Sequence, residues 1–466
     1  MKTKIIALAL SVGFLFASCS ADDDAGATTI AELTGEQNIS VGDTTTFSST
    51  TTGGTFSSAT PAVATVAPST GIVTGVSEGT SVITYTVGAS SVSRTVTVTQ
   101  GLGSGEISGV FTANQTYIKG NYTLKGIVKI NTGVTVTFNA GSTITCNLAT
   151  GDNALVVLNG GKLIINGTAD QPVVFTEVSK VPGSWGGIIM YGDAPINALG
   201  GVSTSTSEDG NALAYGGTNA AHNGGTLTYV RVEYAGKKLA DGTKELNGFS
   251  FYSVGSGTTL DHLISYRGAD DGFEFYGGTV SATNLISYGN YDDAFDWQDG
   301  WQGQANTNWY AYQTGKANFG IEIEASANNN AYFPKVTNIT LKKAAGTTPE
   351  VAGDVQVDAF QFKKEGNGDF SNIIIDGYGN YTEGTTLYEG AAVKIQDATT
   401  NTNQVLTGKI KINNVKITNT THDVWGATSA IIVNFPAGMF TPSNGATGAS
   451  LSGGAWSTVD GTNLIQ

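Results

Sequence analysis

The amino-acid sequence predicts an all-β protein in which a small β-sandwich precedes a long parallel β-helix. Glycine supplies 63 of the 466 residues, only 13% of residues are charged, and long amphipathic helical patterns are absent. Short alternating strands recur through the chain, with glycine and asparagine between them. Beyond about residue 109, three strands fill roughly 20–30 residues, which is the period of a coil that buries its apolar face only against its neighbours.

The first residues carry the pattern of a secretion leader. Two lysines form a charged start, and residues 5–16 form an apolar run that is too short to span a bilayer as a mature helix. Residues 17–19 read Ala-Ser-Cys and resemble a bacterial lipobox. The resemblance implies that residues 1–18 are a signal peptide and that Cys19 carries a lipid, through which the protein would be held to a membrane.

The segment that begins at Cys19 is acidic. Residues 20–24 read Ser-Ala-Asp-Asp-Asp within a linker that extends over 19–26, and they resemble the export signal of surface lipoproteins of the Bacteroidota. That resemblance implies a lipid-anchored protein of the outer membrane that faces the cell exterior. The alternative is an ordinary acidic linker behind a periplasmic lipoprotein.

Charge and cysteine content limit the partners of the protein. A formal net charge of −15 without a basic run repels nucleic acid and anionic membranes, so cations, neutral sugars or basic partners fit better. Acidity that serves only solubility is the alternative. A lipid on Cys19 leaves only Cys146, and therefore no intrachain disulfide. Cys146 alternates with Ile144 and Leu148, which predicts a buried apolar residue.

Residues 27–99 are predicted to form the small β-sandwich. Threonine and serine dominate this stretch, and turn signals separate short alternating strands. It resembles the second class of bacterial immunoglobulin-like domains through VATV at 63–66 and TGVSEG at 74–79. The resemblance implies a spacer domain, which agrees with the lack of a titratable cluster in this sequence. Residues 100–108 are glycine-rich and are predicted to form a flexible linker.

Residues 109–466 contain repeats that fit the coils of a β-helix. In each copy a small residue precedes an apolar–x–apolar triplet, whose two apolar side chains share one face of a strand and are predicted to stack inward. This repeat occurs at 247–251, 271–275, 293–297 and 358–362. A second repeat places an asparagine before an apolar run. Its asparagines, which are predicted to stack at turns, are Asn284, Asn338, Asn372 and Asn414.

Residues 105–466 resemble the right-handed parallel β-helix of the pectin-lyase-like superfamily. The likeness is carried by LNGGKLIINGTADQPVVFT at 158–176, by PGSWGGIIMYGDAPIN at 182–197, and by the DDGFE and DDAFDW pair. It extends to large β-helix surface proteins of the Bacteroidota. The resemblance implies the fold but leaves the activity open, because this fold supports lyases, hydrolases, adhesins and passive stalks.

Two acidic clusters lie 22 residues apart, which is one coil of the predicted helix. The clusters are Asp270, Asp271 and Glu274, followed by Asp292, Asp293 and Asp296. Equivalent residues are expected to stack about 4.8 Å apart, where two carboxylates repel by roughly 3 kcal/mol at an effective dielectric constant of about 20. A shared calcium ion would remove this repulsion, because Ca²⁺ binds carboxylate oxygens. The alternatives are protonated, solvated or turn-capping carboxyl groups and a catalytic carboxylate pair.

Three further residues are candidates for contact with a ligand. Trp301 and Trp309 lie in a turn-rich stretch, where they either form a platform for sugar rings or cover a flank of the helix. Arg267 lies three residues before Asp270. The family resemblance implies that an arginine beside calcium-binding acids would be the base of a polysaccharide lyase, and a salt-bridge partner is the alternative.

The sequence therefore predicts one of two functions. The first is a non-catalytic cell-surface protein, stabilised by calcium, that binds a glycan or an envelope protein or serves as part of the envelope. It rests on the predicted lipid anchor, the spacer domain and the missing Gly-His-Gly and Arg-Ile-Lys motifs of pectin-type hydrolases. The second is a calcium-dependent lyase of acidic polysaccharide, or another carbohydrate-active β-helix enzyme.

Overall fold

The computed structural model describes residues 29–99, 103–147, 151–239, 246–325, 333–353 and 356–466. The chain divides into two compact units, Met1–Gln100 and Gly101–Gln466. The predicted leader and Cys19 lie outside the described residues, so the leader and the lipid remain predictions. None of the helices in the described part has the length and apolar character that crossing a bilayer requires.

The first unit consists of two small sheets around one apolar core. Its strands are β1 (Asn38–Ser40), β2 (Thr44–Thr46), β3 (Thr55–Ser58), β4 (Ala64–Val66), β5 (Ile72–Gly75), β6 (Gly79–Val87) and β7 (Ser90–Thr99). One sheet has the order β1-β7-β6-β3 and the other the order β2-β5-β4. Phe47, Val73, Ile83 and Val96 are buried between them. The immunoglobulin-like assignment of this unit stays a prediction.

The regular secondary structure of the second unit is almost all strand. Its elements are β8 (Ser104–Phe111), β9 (Gln115–Tyr117), β10 (Asn121–Ile130), β11 (Thr135–Asn139), β12 (Thr143–Cys146), β13 (Ala154–Val157), β14 (Lys162–Asn166), β15 (Val173–Glu177), β16 (Ile188–Tyr191), β17 (Ser205–Thr206), β18 (Ala214–Tyr215), β19 (Gly225–Glu233), β20 (Phe249–Tyr252), β21 (Thr259–Tyr266), β22 (Phe273–Tyr276), β23 (Ala282–Tyr288), β24 (Phe295–Gln298), β25 (Asn306–Gln313), β26 (Ile321–Ile323), β27 (Lys335–Lys343), β28 (Phe360–Phe362), β29 (Gly368–Asp376), β30 (Tyr381–Glu383), β31 (Thr386–Tyr388), β32 (Ala391–Ile395), the α-helical turn α1 (Ala398–Thr400), a π-helical turn (Asn401–Val405), β33 (Ile410–Thr418), β34 (His422–Gly426), β35 (Phe440–Pro442), β36 (Thr458–Val459) and β37 (Thr462–Asn463). Twenty-four of these strands join in one large sheet.

The large sheet is built from parallel pairs between successive coils, which confirms the predicted parallel β-helix. One face, here called the first face, consists of strands that each pair with the next: β13, β16, β20, β22, β24, β26, β28, β32 and β34. Phe273 packs over Phe249 and under Phe295 with ring centroids 5.0 and 5.6 Å apart. The inward stack that the repeats predict is therefore present, and Cys146 is buried in the same core.

Long strands cross a second corner of each coil, where asparagines stack. Asn284, Asn308, Asn338 and Asn372 have φ angles of 57° to 58°, in the left-handed region that asparagine tolerates better than most residues. The amide of Asn308 donates to Asn284 Oδ1 at 3.0 Å, and the amide of Asn372 donates to Asn338 Oδ1 at 2.7 Å. The predicted asparagine stack is confirmed, and Asn308 is an additional member.

Two segments lie on the outside of the coils. The insertion at 193–224, between β16 and β19, places Tyr215 against Tyr252 and Tyr276 of the first face, with ring centroids 5.0 and 6.2 Å apart. The C-terminal segment, residues 446–466, returns along the helix. The backbone N–H of Thr447 donates to Asn372 Oδ1 at 2.8 Å, and that of Trp456 donates to the carbonyl of Ala169 at 2.9 Å. The insertion therefore shapes the surface around the acidic residues, and the C-terminal segment is hydrogen-bonded to several coils.

Candidate metal centre

The aspartates at the entry to the first-face strands connect one coil to the next. Asp271 Oδ1 accepts a hydrogen bond from the backbone N–H of Asp293 at 2.9 Å, and Asp293 Oδ1 accepts one from Phe319 at 2.7 Å. At the same place in a later coil, Asp358 Oδ1 accepts a bond from the N–H of Ala391 at 2.8 Å. These bonds satisfy backbone groups at a coil corner, so part of the acidic pattern has a structural role.

The acidic residues that follow these corners stack on the outer side of the first face. Glu274 pairs with Asp296, and Asp296 pairs with Glu322, in the register of β22, β24 and β26. Their parity is opposite to that of the inward Phe273 and Phe295, which confirms the predicted orientation and register. Asp296 is nevertheless only 8% exposed, so these carboxyl groups are not free to extend into water.

The structure brings five of the six predicted ligands into two overlapping groups. In each group, one carboxylate oxygen per residue lies within 4.8 Å of the others. The first group is Asp270, Asp271 and Asp292, and the second is Asp271, Glu274 and Asp296. Oxygen atoms that bind Ca²⁺ at about 2.3–2.6 Å lie up to roughly 5 Å apart, so either group has the spacing that a shared cation requires. The sixth predicted ligand, Asp293, borders Asp271 but belongs to neither group.

Hydrogen bonds satisfy some of these carboxylates and leave one buried oxygen without a partner. Glu274 accepts bonds from the Asn247 amide at 2.5 Å, from the Gln298 amide at 3.1 Å and from the Tyr276 hydroxyl. Asp292 accepts a bond from the Asn318 amide. By contrast, Asp296 Oδ1 is buried and has no hydrogen-bond partner among the described residues. A buried carboxylate oxygen without a donor is costly unless a cation or a proton occupies it.

Burial and the charges of neighbouring carboxylates raise the pKa values of all six acids. Burial, and then the Glu208 carboxylate, raise the pKa of Glu274 to about 8, although its hydrogen bonds oppose the change. Burial and the charge of Glu350 raise the pKa of Asp292 to about 7. Burial followed by neighbouring carboxylates also holds the pKa well above the usual range for the other four, Asp270, Asp271, Asp293 and Asp296. These shifts favour the protonated form of the acids near neutral pH, and a bound cation would favour the ionised form.

Lys363 is a positive neighbour that compensates the cluster in part. Its ammonium group lies 2.7 Å from Glu322 and 3.4 Å from Glu324. Burial alone would lower the pKa of Lys363, but the charges of Glu322, Asp296 and Glu324 raise it overall. Lys363 is therefore protonated and forms salt bridges with Glu322 and Glu324. Glu322 follows Asp296 in the outer row of acids.

Arg267 is not brought to the acidic groups. Its guanidinium lies over the ring of Tyr266, 5.2 Å from the centroid. It lines a separate small pocket together with Lys180, Gly289 and Tyr291, and none of the six acids is among the lining residues. The closeness of Arg267 to Asp270 in sequence therefore does not become a shared site.

The prediction that Trp301 and Trp309 contact a ligand is wrong. They are 1% and 0% exposed, and both pack in the core, where Trp301 stacks on Phe275 at 4.6 Å. Each indole N–H donates to a carbonyl of the preceding coil, Val280 for Trp301 and Ala282 for Trp309, at 3.0 Å. Trp309 follows Asn308 in NTNWYAY just as the buried Leu285 follows Asn284 in TNLISY, and the two residues pair in the structure. Aligning these two repeats would have predicted that Trp309 lies in the core.

A cleft of about 290 Å³ adjoins the acidic groups and was missed by sequence reasoning. One wall is the insertion, including Leu199 and Glu208, and the floor is the outer row of the first face, including Tyr276 and Gln298. The Gln298 amide, which bonds Glu274, connects the cleft to the acidic groups. A sequence signal for the cleft is lacking, because the insertion has a generic composition and its position depends on the coil beneath it.

Fold and site together define a parallel β-helix protein with a buried acidic site on its first face. A family model described as a pectate-lyase like beta helix domain matches residues 109–458. The match covers most of the chain, and the protein belongs to this family. No curated protein and no solved structure matched the chain. Membership establishes the fold, and the activity has to be argued from the site.

Proposed function

We propose that this protein is a lipid-anchored surface protein whose β-helix binds calcium and acts as a non-catalytic binding or structural module of the envelope. The lipid on Cys19, the outer-membrane location and the spacer role of residues 27–99 come from the sequence. The β-helix contributes the site, and a glycan or an envelope protein is the class of partner. The tryptophan platform forms no part of this proposal.

One observation supports calcium more than any other. Asp296 gives a carboxylate oxygen to a group with Asp271 and Glu274, and its Oδ1 is buried without a hydrogen-bond partner among the described residues. A hard cation supplies what this oxygen lacks and also removes the repulsion that raises the pKa values. A turn-capping role accounts for Asp271 and Asp293, but it does not account for Asp296.

The chemistry around the acids favours binding over lyase catalysis. A lyase needs a base that is unprotonated when it meets the substrate. Lys363 lies beside the outer acids, and carboxylates hold its pKa above the usual range, so it keeps its proton. Burial lowers the pKa of Lys343, a neighbour of Asp293, to about 8, but its ammonium group donates to the backbone carbonyls of Asn318 and Gln356. Arg267 lies over Tyr266, in a pocket without the acids. This arrangement supports a site that holds a cation and does not support proton abstraction.

Calorimetric titration with CaCl₂ tests the proposal on the protein without its leader. We expect binding heat and a raised thermal midpoint for the wild type, and neither for Asp296→Asn. The control is Asp423→Asn, which removes an exposed acid from β34 at the far end of the first face and should titrate like the wild type. Absence of heat and of a thermal shift in the wild type, or unchanged binding in Asp296→Asn, would refute the calcium site.

A further inference from the structure

The cleft beside the acidic groups has an unusual combination of lining residues. It has a volume of about 290 Å³, near the lower end of the roughly 300–1,000 Å³ that small-molecule sites occupy. Leu199, at the tip of the insertion, is 74% exposed and forms an apolar lip. Tyr215 and Tyr276 line the inner end, but both are buried and turn no broad ring face outward. The cleft therefore fits one side chain better than a row of sugar rings.

The charge of the cleft is negative. Glu208, Asp299 and Glu324 are among its described lining residues, against a single lysine, Lys364. The Lys364 ammonium already lies 2.8 Å from Glu324, which also receives Lys363 at 3.4 Å. The charge of Lys364 is therefore balanced by Glu324, and it does not offset the charges of Glu208 and Asp299.

Glu208 has capacity for a ligand at the mouth of this cleft. It is exposed, and Gln298 makes a long contact with it, 3.5 Å from amide nitrogen to carboxylate oxygen. Its charge is felt inside the protein, because after burial it is the largest cause of the raised pKa of Glu274. Glu208 and Asp299 would repel an anionic polysaccharide, whereas they would attract a cation.

We propose that this cleft binds the side chain of an arginine on a peptide segment of a partner protein. A guanidinium group forms paired hydrogen bonds with a carboxylate, here Glu208, and its three-carbon stem packs on an apolar lip such as Leu199. Asp299 deepens the negative potential behind it. The inference names the partner class of the binding module, but its test does not depend on calcium.

The test uses a blocked tripeptide, acetyl-Gly-Arg-Gly amide, and the same peptide with citrulline, which keeps the shape of arginine but lacks its charge. Titration is followed by NMR of the wild-type protein in EDTA, so that calcium does not contribute. We expect the arginine peptide to bind and the citrulline peptide to bind about tenfold more weakly, as the loss of one charge-assisted hydrogen bond predicts.

Protein variants locate the site. Glu208→Gln should weaken binding of the arginine peptide about tenfold, and Leu199→Ser should weaken it by a smaller factor. Asp423→Asn makes the same loss of charge outside the cleft and should bind like the wild type. Both Glu208 and Leu199 are exposed, so thermal midpoints should match the wild type and show that the variants fold.

Four outcomes would overturn the inference. They are no binding of the arginine peptide to the wild type, equal binding of the citrulline peptide, unchanged binding by Glu208→Gln, or tighter binding of a glucosamine oligosaccharide than of the peptide. The last outcome would assign the cleft to a cationic glycan instead. Because all titrations are done in EDTA, failure here leaves the calcium result unaffected, and a failed calcium titration leaves this result unaffected.

Discussion

The carboxylate of Asp271 accepts a hydrogen bond from the backbone N–H of Asp293 at 2.9 Å, so the side chain of one coil fixes the main chain of the next. The same two residues carry charges that repel each other, and repulsion from Asp293 contributes to the raised pKa of Asp271. Asp271 and Asp293 therefore stabilise the coil corner through a hydrogen bond and destabilise it through repulsion between their carboxylates. A cation or a proton resolves the conflict, and this leads to the predictions below.

Stability without calcium is expected to fall as pH rises. The pKa of Glu274 rises from 4.5 to about 8 and that of Asp292 from 3.8 to about 7, so the folded protein holds more protons than the unfolded chain between these values. The stabilisation is complete below the unfolded pKa values and is lost as pH increases through the folded ones. Thermal midpoints in EDTA from pH 5 to 9 check this. CaCl₂ should restore most at the alkaline end, and a midpoint that rises with pH in EDTA would contradict the account.

Two aspartates at equivalent corners should respond in opposite ways to the same substitution. Asp358 is fully buried and pairs with Lys394 at 3.0 Å, so Asp358→Asn leaves a lysine without its partner and should cost about 3–5 kcal/mol of unfolding free energy. Burial and then the charges of Asp292 and Glu322 raise the pKa of Asp293, and Lys363 only partly opposes them, so Asp293→Asn keeps an acceptor for Phe319 and removes repulsion. We expect it to be neutral or stabilising in EDTA at pH 8. Urea unfolding measures both, and destabilisation of equal size would contradict the distinction.

The buried tryptophans are expected to matter for stability rather than for binding. Trp309→Ala removes a ring that stacks on Phe295 at 4.7 Å, and it should cost about 3–5 kcal/mol. Trp309→Phe keeps the stacking but leaves the Ala282 carbonyl without its indole donor, so it should cost less. Urea denaturation gives both values. If the two variants unfold like the wild type but lose binding to a glycan, the burial of this residue would be contradicted.

The lipid on Cys19 is tested by a matched pair of cysteine variants in cells. Cys19→Ser should abolish labelling with radioactive palmitate and release the protein from the membrane fraction. Cys146→Ser, a change in the buried core, should keep both the label and the membrane location. Digestion of intact cells with a protease then tests whether the protein faces outward. Label on Cys19→Ser, or protection of the wild type in intact cells, would contradict the proposal.

Sequence reasoning reached the coil and its register because both follow from local periodicity. A 22-residue offset between acidic clusters fixes which residues stack, and the pairing of Glu274 with Asp296 agrees with it. The alternation of apolar residues likewise fixed the inward positions of Phe273 and Phe295. These features repeat, so a single sequence contains several copies of the same evidence.

What sequence reasoning missed depends on contacts between segments that do not repeat. The burial of Trp301 follows from its stacking on Phe275 of another coil, and its turn-rich neighbourhood indicated a surface. The cleft lies between the insertion, whose Tyr215 packs on Tyr276, and the outer row that includes Gln298. The burial of Asp296 was also missed, because strand parity shows which way a side chain points and not what covers it.

The C-terminal segment gives this β-helix a property that a simple stack of coils lacks. Arg231 holds the carbonyl of Thr458 at 3.0 Å, while Thr340 Oγ1 accepts the N–H of Ala449 at 2.9 Å, so residues far apart in the stack share one tether. Tension on the end of this segment would be delivered first to the middle of the rod, not to its last coil. The stack of coils would then resist separation that starts at its last coil.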